Sequence, residues 1–191
     1  DPVGRRVIFV HGTPGRSGAW SDYLANVPKG FEFVAIDRAG FGKSGPAGAV
    51  TSLKDQARTI LPLLVDRGGG WPILVGHSLG GPIIAQIAAD YPDRVGGLVI
   101  AAGSLDPALE RVQMIQYVGE KLGLTYLIPR RMRNANRELI GLKKHLVALE
   151  PRLKTIACPV AIVHGTVDPL VPFSNVTFMK VRMQRSIVKV Y

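Results

Sequence analysis

The 191-residue chain has a single cysteine, Cys158. No internal disulfide is possible, so nothing in the composition points to an oxidising compartment. Cys158 precedes Pro159 at the entry to an apolar run, the setting of a small buried thiol and not of a nucleophile. No apolar stretch approaches the roughly 20 residues of a membrane span. The opening residues carry no signal-peptide pattern, and the expected location is cytoplasmic. Acids are scarce: 14 Asp and Glu stand against 24 Lys and Arg, a formal charge of +10. The excess is concentrated between Arg130 and Lys154, where Arg130, Arg131, Arg133, Arg137, Lys143, Lys144, Arg152 and Lys154 face only Glu138 and Glu150. Such a stretch attracts anionic partners. Aromatics are not interleaved with it, as a single-strand-binding surface requires, so no nucleic-acid partner is expected. A solvated helical face is its simplest reading.

What is present is an alternation. Apolar, β-branched runs at 6–10, 31–37, 72–75, 95–101, 159–163 and 186–191 read as six strands. Between them lie helical patterns: from Thr51 or Ser52 to about Asp66, with Pro62 kinking it and the 68–70 glycines closing it; from Gly80 to Asp90; and from Phe173 to Arg185. Near-continuous apolar strands alternating with helices imply an α/β fold, a mostly parallel sheet covered on both faces. The interval from Asp106 to Lys154 breaks the rhythm. It carries helical patterns at 108–122 and 134–149 without strand signals, and reads as an inserted helical cap (106–154) on a core made of 1–105 and 155–191.

Chemistry concentrates at Gly76-His77-Ser78-Leu79-Gly80-Gly81, which follows a strand and opens a helix. A serine thrust out of a tight strand-to-helix turn is held in a strained backbone, and crowding demands glycine two residues before and two after. The helix N-terminus beside it favours developing negative charge.

Four segments occur in order: residues 11–15 (HGTPG), 37–44 (DRAGFGKS), 76–81 (GHSLGG) and 164–172 (HGTVDPLVP). Together they resemble the α/β-hydrolase superfamily, especially its small capped esterase and lipase-like members. The resemblance implies Ser78 as nucleophile, Asp168 as the acid, and an oxyanion hole made by the backbone N–H groups of Thr13 and Leu79. It implies that His11 braces its loop. Asp106, just past the fourth strand, is the alternative acid, and Asp37 is expected to hold its own glycine-rich loop. His77 is read as packing beside the elbow. No cofactor or metal is expected, and a serine at the elbow disfavours dehalogenase or epoxide-hydrolase chemistry.

The expected chain order is Ser, acid, His. The four histidines are His11, His77, His145 and His164, and none follows Asp168. The reading is therefore of a chain truncated at both ends, lacking the base of an otherwise complete site. The expected activity is carboxylic-ester (or thioester) hydrolysis of a small-molecule acyl ester. Cap residues Met114, Ile115, Tyr117, Leu122, Leu124, Tyr126, Leu127 and Ile128 are candidates for an acyl pocket. The basic cap face, with Arg130, Arg131 and Arg133, is a candidate for an acidic carrier protein, as in some methyl-ester carboxylesterases that the chain resembles, or for an anionic membrane surface. The alternative is a non-catalytic binding module that kept the fold and lost the base; the fold also hosts cofactor-free oxidation and lyase chemistry.

Overall fold

The computed structural model describes residues 4–67, 70–111 and 114–190, without the side chains of Ile115 and Ser186. The glycines at 68 and 69 and Tyr191, the expected end of the last strand, lie outside the described residues, as do 112 and 113 of the expected 108–122 helix.

Six strands form, each within about two residues of its apolar run: β1 (Arg5–Val10), β2 (Phe31–Ile36), β3 (Ile73–His77), β4 (Gly97–Ala101), β5 (Val160–His164) and β6 (Ser186–Val190). They make one sheet in the order β2-β1-β3-β4-β5-β6, and every pair is parallel. The order reverses between β1 and β3. In open parallel sheets such a reversal leaves a crevice beyond the carboxyl ends of the strands, where ligands bind. The loops after β1 and β3 both open there.

Alternation along each strand divides the core. Ile8, Val10, Leu74, Leu98, Ile100, Val160 and Ile162 face one side and pack with the large helices. Val7, Phe9 and Trp20 gather on the other, covered by a single 3-10 turn, Ser17–Trp20, and a short helix α1 (Ser21–Ala25). Helices thus lie on both faces, unequally. Helix α2 (Leu53–Ile60) is capped by Ser52, whose hydroxyl accepts from the Asp55 amide. Its α-helical part stops at Ile60, and Leu61–Leu63 tightens into a 3-10 turn around Pro62, because proline cannot supply the next intrahelical N–H. Helix α3 (Gly80–Asp90) is buried along almost its whole length, running behind the sheet from the elbow.

The β4–β5 connection is helical: α4 (Met114–Lys121), a 3-10 turn Leu124–Leu127, α5 (Arg130–Leu149) and a 3-10 turn Glu150–Thr155. Helix α5 starts a turn earlier than its apolar spacing implies. Its C-terminal half is not peripheral, since Leu142, Leu146 and Leu149 join the main core. Helix α6 (Ser174–Arg182) precedes β6. Cys158 is buried. Among the described residues, no helix is long and apolar enough to cross a membrane.

Candidate active site

Ser78 sits where β3 gives way to α3, at φ +50°. A non-glycine residue there is strained by an amount of order 1–3 kcal/mol. The surroundings hold it: the Ser78 amide donates to Ala101 O at 2.9 Å, and Ser78 O accepts from the Gly81 amide at 2.9 Å. The flanking glycines answer crowding. A Cβ on Gly76 would stand 2.5 Å from Gly80 O, and one on Gly80 would collide with Val10 O.

The loop after β1 passes directly over the elbow, so close that a Cβ on Gly12 would lie 2.9 Å from the Ser78 Cβ. Ser78, Gly12, Thr13, His77, Ala101, Trp20 and Leu170 share the walls of a cavity of about 610 Å³. Among the described loop, turn and side-chain hydrogen bonds, neither the Thr13 nor the Leu79 amide has a partner. Both amides lie on the segments that border Ser78, one from the loop after β1 and one from the start of α3.

His11 is fully engaged. Its Nδ1–H donates to Gly12 O at 2.7 Å and its Nε2 accepts from the Arg38 amide at 3.0 Å. Burial, and then the Arg38 charge, lower its pKa to about 4, so the neutral tautomer that makes both bonds is the stable one. Arg38 continues the brace. Its Nε donates to His11 O at 2.8 Å and its Nη2 to Gly12 O at 3.1 Å. The outer edge of the same guanidinium forms a two-pronged ion pair with Glu138 of α5, at 2.7 and 3.0 Å. Neither side chain is more than 2% exposed. Gln56 of α2 adds a bond to Glu138 Oε1 at 3.1 Å. The loop over Ser78 is therefore tied through one buried network to α2 and α5.

Asp37 holds the glycine-rich loop, accepting from the Ser17 amide at 2.7 Å and the Lys43 amide at 2.9 Å. Burial pushes its carboxyl up, but these amides leave it net below the ordinary value. Asp168 lies on the loop after β5. Its Oδ1 accepts from the Leu170 and Val171 amides, at 2.8 and 2.9 Å. The Val171 bond is the largest cause of its lowered pKa, with burial opposing. His164 braces this loop as His11 braces the other, with its Nε2–H donating to Val171 O at 2.8 Å. Leu170 brings the loop to the Ser78 cavity, and His77 and Asp168 are close enough to influence each other's titration. His77 stands at the exposed end of β3, and partial desolvation of its ring lowers its pKa against the pull of Asp168. Asp106, the alternative acid, has its Oδ1 occupied by the Ala108 amide and its own amide on Asn175. It lines a different cavity, with Glu150 and Arg182. His145 lies on α5, its pKa lowered by burial and by Lys144.

Of the expected acyl-pocket residues, Leu124 and Ile128 line an apolar cavity of about 360 Å³ with Met132, Ala135, Leu139 and Pro14. Met114, Leu122 and Leu127 are largely exposed, and the side chain of Ile115 lies outside the described residues. Met132, Ala135 and Leu139 escaped the sequence reading because they fall inside its basic stretch. The basic stretch itself is not a uniform solvated face: Arg133 lies over the Tyr126 ring, Arg137 pairs with Glu120 and Arg152 with Asp90. Among the described residues, no group of three or more His, Cys, Asp or Glu is placed to hold a metal ion.

The profile of one family, described as alpha/beta hydrolase fold, matches residues 5–135. A putative non-heme haloperoxidase of Mycobacterium phage D29 is 29% identical over 143 residues, which are 73% of this chain and 49% of that protein. The 2-hydroxy-6-oxononadienedioate/2-hydroxy-6-oxononatrienedioate hydrolase of Burkholderia vietnamiensis is 35% identical over 103 residues, 51% of this chain and 35% of that one. The chain spans half or less of the length of these curated relatives. Among solved structures, Paleococcus ferrophilus monoacylglycerol lipase superposes with a TM-score of 0.77 at 19% identity, covering 98% of this chain and 86% of that one. At that identity the likeness is one of fold.

Proposed function

The chain belongs to the α/β hydrolase fold family, and from that premise we propose that the protein is a serine hydrolase, cleaving a carboxylic ester or thioester through an acyl-Ser78 intermediate. The observation that carries this reading is the conformation of Ser78: a strained serine at φ +50°, on a strand–helix junction, facing a cavity under a braced loop. Strain that the surroundings over-determine is characteristic of functional positions. Lipases and hydrolases among the relatives agree with it.

In the proposed reaction the Ser78 Oγ attacks the substrate carbonyl carbon while an imidazole removes the hydroxyl proton. Charge developing on the carbonyl oxygen is met by the Thr13 and Leu79 amides. One such donor is worth on the order of 10²–10³ in rate. Collapse breaks the bond to the leaving alkoxide or thiolate, which receives the proton, and water repeats the sequence to release the acid. Asp168 orients and stabilises the imidazolium. Its Oδ1 is held by two amides, which fixes the carboxylate and keeps it ionised. Residues 106–154 serve as a cap, and the Leu124–Ile128–Met132 cavity takes the apolar part of the substrate. No histidine follows Asp168 in these 191 residues, and His11 and His164 are engaged in bracing. Removing the base costs on the order of a millionfold in subtilisin, so the rate hinges on that imidazole.

Release of p-nitrophenol from p-nitrophenyl acetate tests the reading. A stoichiometric, slow release that Ser78→Ala abolishes supports it. Equal release from both proteins would leave the chain a binding module.

A further inference from the structure

Beside the Ser78 cavity lies a second one, of about 650 Å³, with a different character. The two share Pro14, Gly15 and Ala19 as a common wall. Three arginines line the second cavity: Arg16 from the loop after β1, and Arg130 and Arg131 from the first turn of α5. None of the three takes part in an ion pair among the described residues, whereas Arg137, Arg152 and Arg182 each have a carboxylate partner. Arg130 is anchored by a bond from Nη2 to Gly42 O at 3.0 Å, which sets its charge over the glycine-rich loop. Asp37, the carboxylate packed against Gly42, accepts from the Ser17 and Lys43 amides, and it forms no ion pair with an arginine among the described residues. Glu138 is occupied by Arg38. Three arginines thus line one concavity, and among the described residues none of them is neutralised by an ion pair.

We propose that this cavity binds an oxyanion, a carboxylate or phosphate, carried by the ester substrate whose carbonyl is presented to Ser78. Guanidinium forks match both groups in geometry, and charge-assisted bonds from them are about twice as strong as neutral ones. An unneutralised arginine cluster also raises the local concentration of an anionic substrate. The substrate class this defines is an acyl ester bearing a negative group away from the scissile bond. The inference rests on the Ser78 reading, but its binding component is measurable separately.

Calorimetric titration of the chain with three esters tests it: monomethyl adipate, methyl 6-phosphonohexanoate, and neutral dimethyl adipate. The expected result is that at least one anionic ester binds about tenfold or more tightly than the diester. The preference should fall to within about twofold in Arg130→Gln/Arg131→Gln, and shrink in Arg16→Gln. Raising the salt concentration should erase it in the wild-type chain. The three side chains are exposed, and a thermal melt of each variant checks that the fold is kept. Equal affinity for all three esters, or a preference untouched by the substitutions and by salt, overturns the proposal. Protection of Ser78 from acetylation by the anionic ester, in the wild type but not in the double variant, ties the cavity to the elbow. Binding of the anion without such protection separates the two cavities and overturns the substrate assignment. Anion preference in a chain whose Ser78 is never acylated would sink the hydrolase reading alone.

Discussion

Removing the Glu138 carboxylate should strongly destabilise this chain. The reason is electrostatic. Arg38 has no exposed side-chain surface, and Glu138 has 2%. Glu138→Ala leaves a guanidinium in the interior with only His11 O and Gly12 O as acceptors, and leaves Gln56 without its third contact. Breaking a buried pair from one side costs about 3–5 kcal/mol, because the surviving charge is uncompensated. Against a total stability of about 5–15 kcal/mol this is a large fraction. For a chain of this length it corresponds to a fall in Tm of about 6–20 °C. Urea denaturation followed by tryptophan fluorescence measures it. The single variant Arg38→Met and the double variant Arg38→Met/Glu138→Ala complete a cycle. The double variant recovers part of the loss, by removing both charges, but not all, because His11 O loses its Arg38 donor and Gly12 O keeps only the His11 Nδ1–H. A loss below about 1 kcal/mol in Glu138→Ala, or strict additivity in the cycle, would refute the argument that this pair fastens α5 to the loop over Ser78.

Further consequences follow from the same geometry. His11 titrates at about 4 in the folded chain against 6.5 when free. The unfolded chain then binds more protons between those values, so stability is fully present above about pH 6.5 and is lost as pH falls towards 4, by about 3 kcal/mol from this group. An NMR titration of the His11 ring with a midpoint near 6.5 would contradict this. At Ser78 the left-handed backbone penalises any Cβ, so Ser78→Gly should be more stable than Ser78→Ala by about 1 kcal/mol, with both inactive. Chemical denaturation compares them, and the reverse order refutes the strain. Cys158 is buried and its thiol is raised above the ordinary value, chiefly by burial. It should react with a disulfide reagent only on unfolding, and rapid labelling of the native chain would show otherwise.

The sheet was legible because parallel strands buried on both faces are nearly continuous apolar runs, and all six stand out. The elbow was legible because its glycines answer a local crowding that the sequence itself encodes. Other features depend on contacts that no local pattern carries. Helix α1 has five residues, too few to show a helical period. The first turn of α5 is Arg130-Arg131-Met132-Arg133, which offers one apolar residue and no periodicity. Arg38 and Glu138 are 100 residues apart, so the sequence shows two charges and not a pair. Glu138 therefore counted as one of two acids diluting a basic face, while it is among the most buried carboxylates of the chain. The arginine cavity was half visible: Arg130 and Arg131 were noted as basic surface, but Arg16 joins them only because the loop after β1 folds back over the sheet.

The central claim is that Ser78 is a nucleophile whose acid partner is Asp168 and whose base is an imidazole. The chain holds no histidine after Asp168, so the base can be supplied as free imidazole. The measurement is acetylation of the intact chain by p-nitrophenyl acetate, located by peptide mass spectrometry, with and without imidazole. The account predicts one acetyl group on Ser78, formed at least about tenfold faster with imidazole, with the acceleration lost in Asp168→Asn and the label absent in Ser78→Ala. Acetylation spread over lysines, or an imidazole effect that is the same in all three proteins, would contradict it.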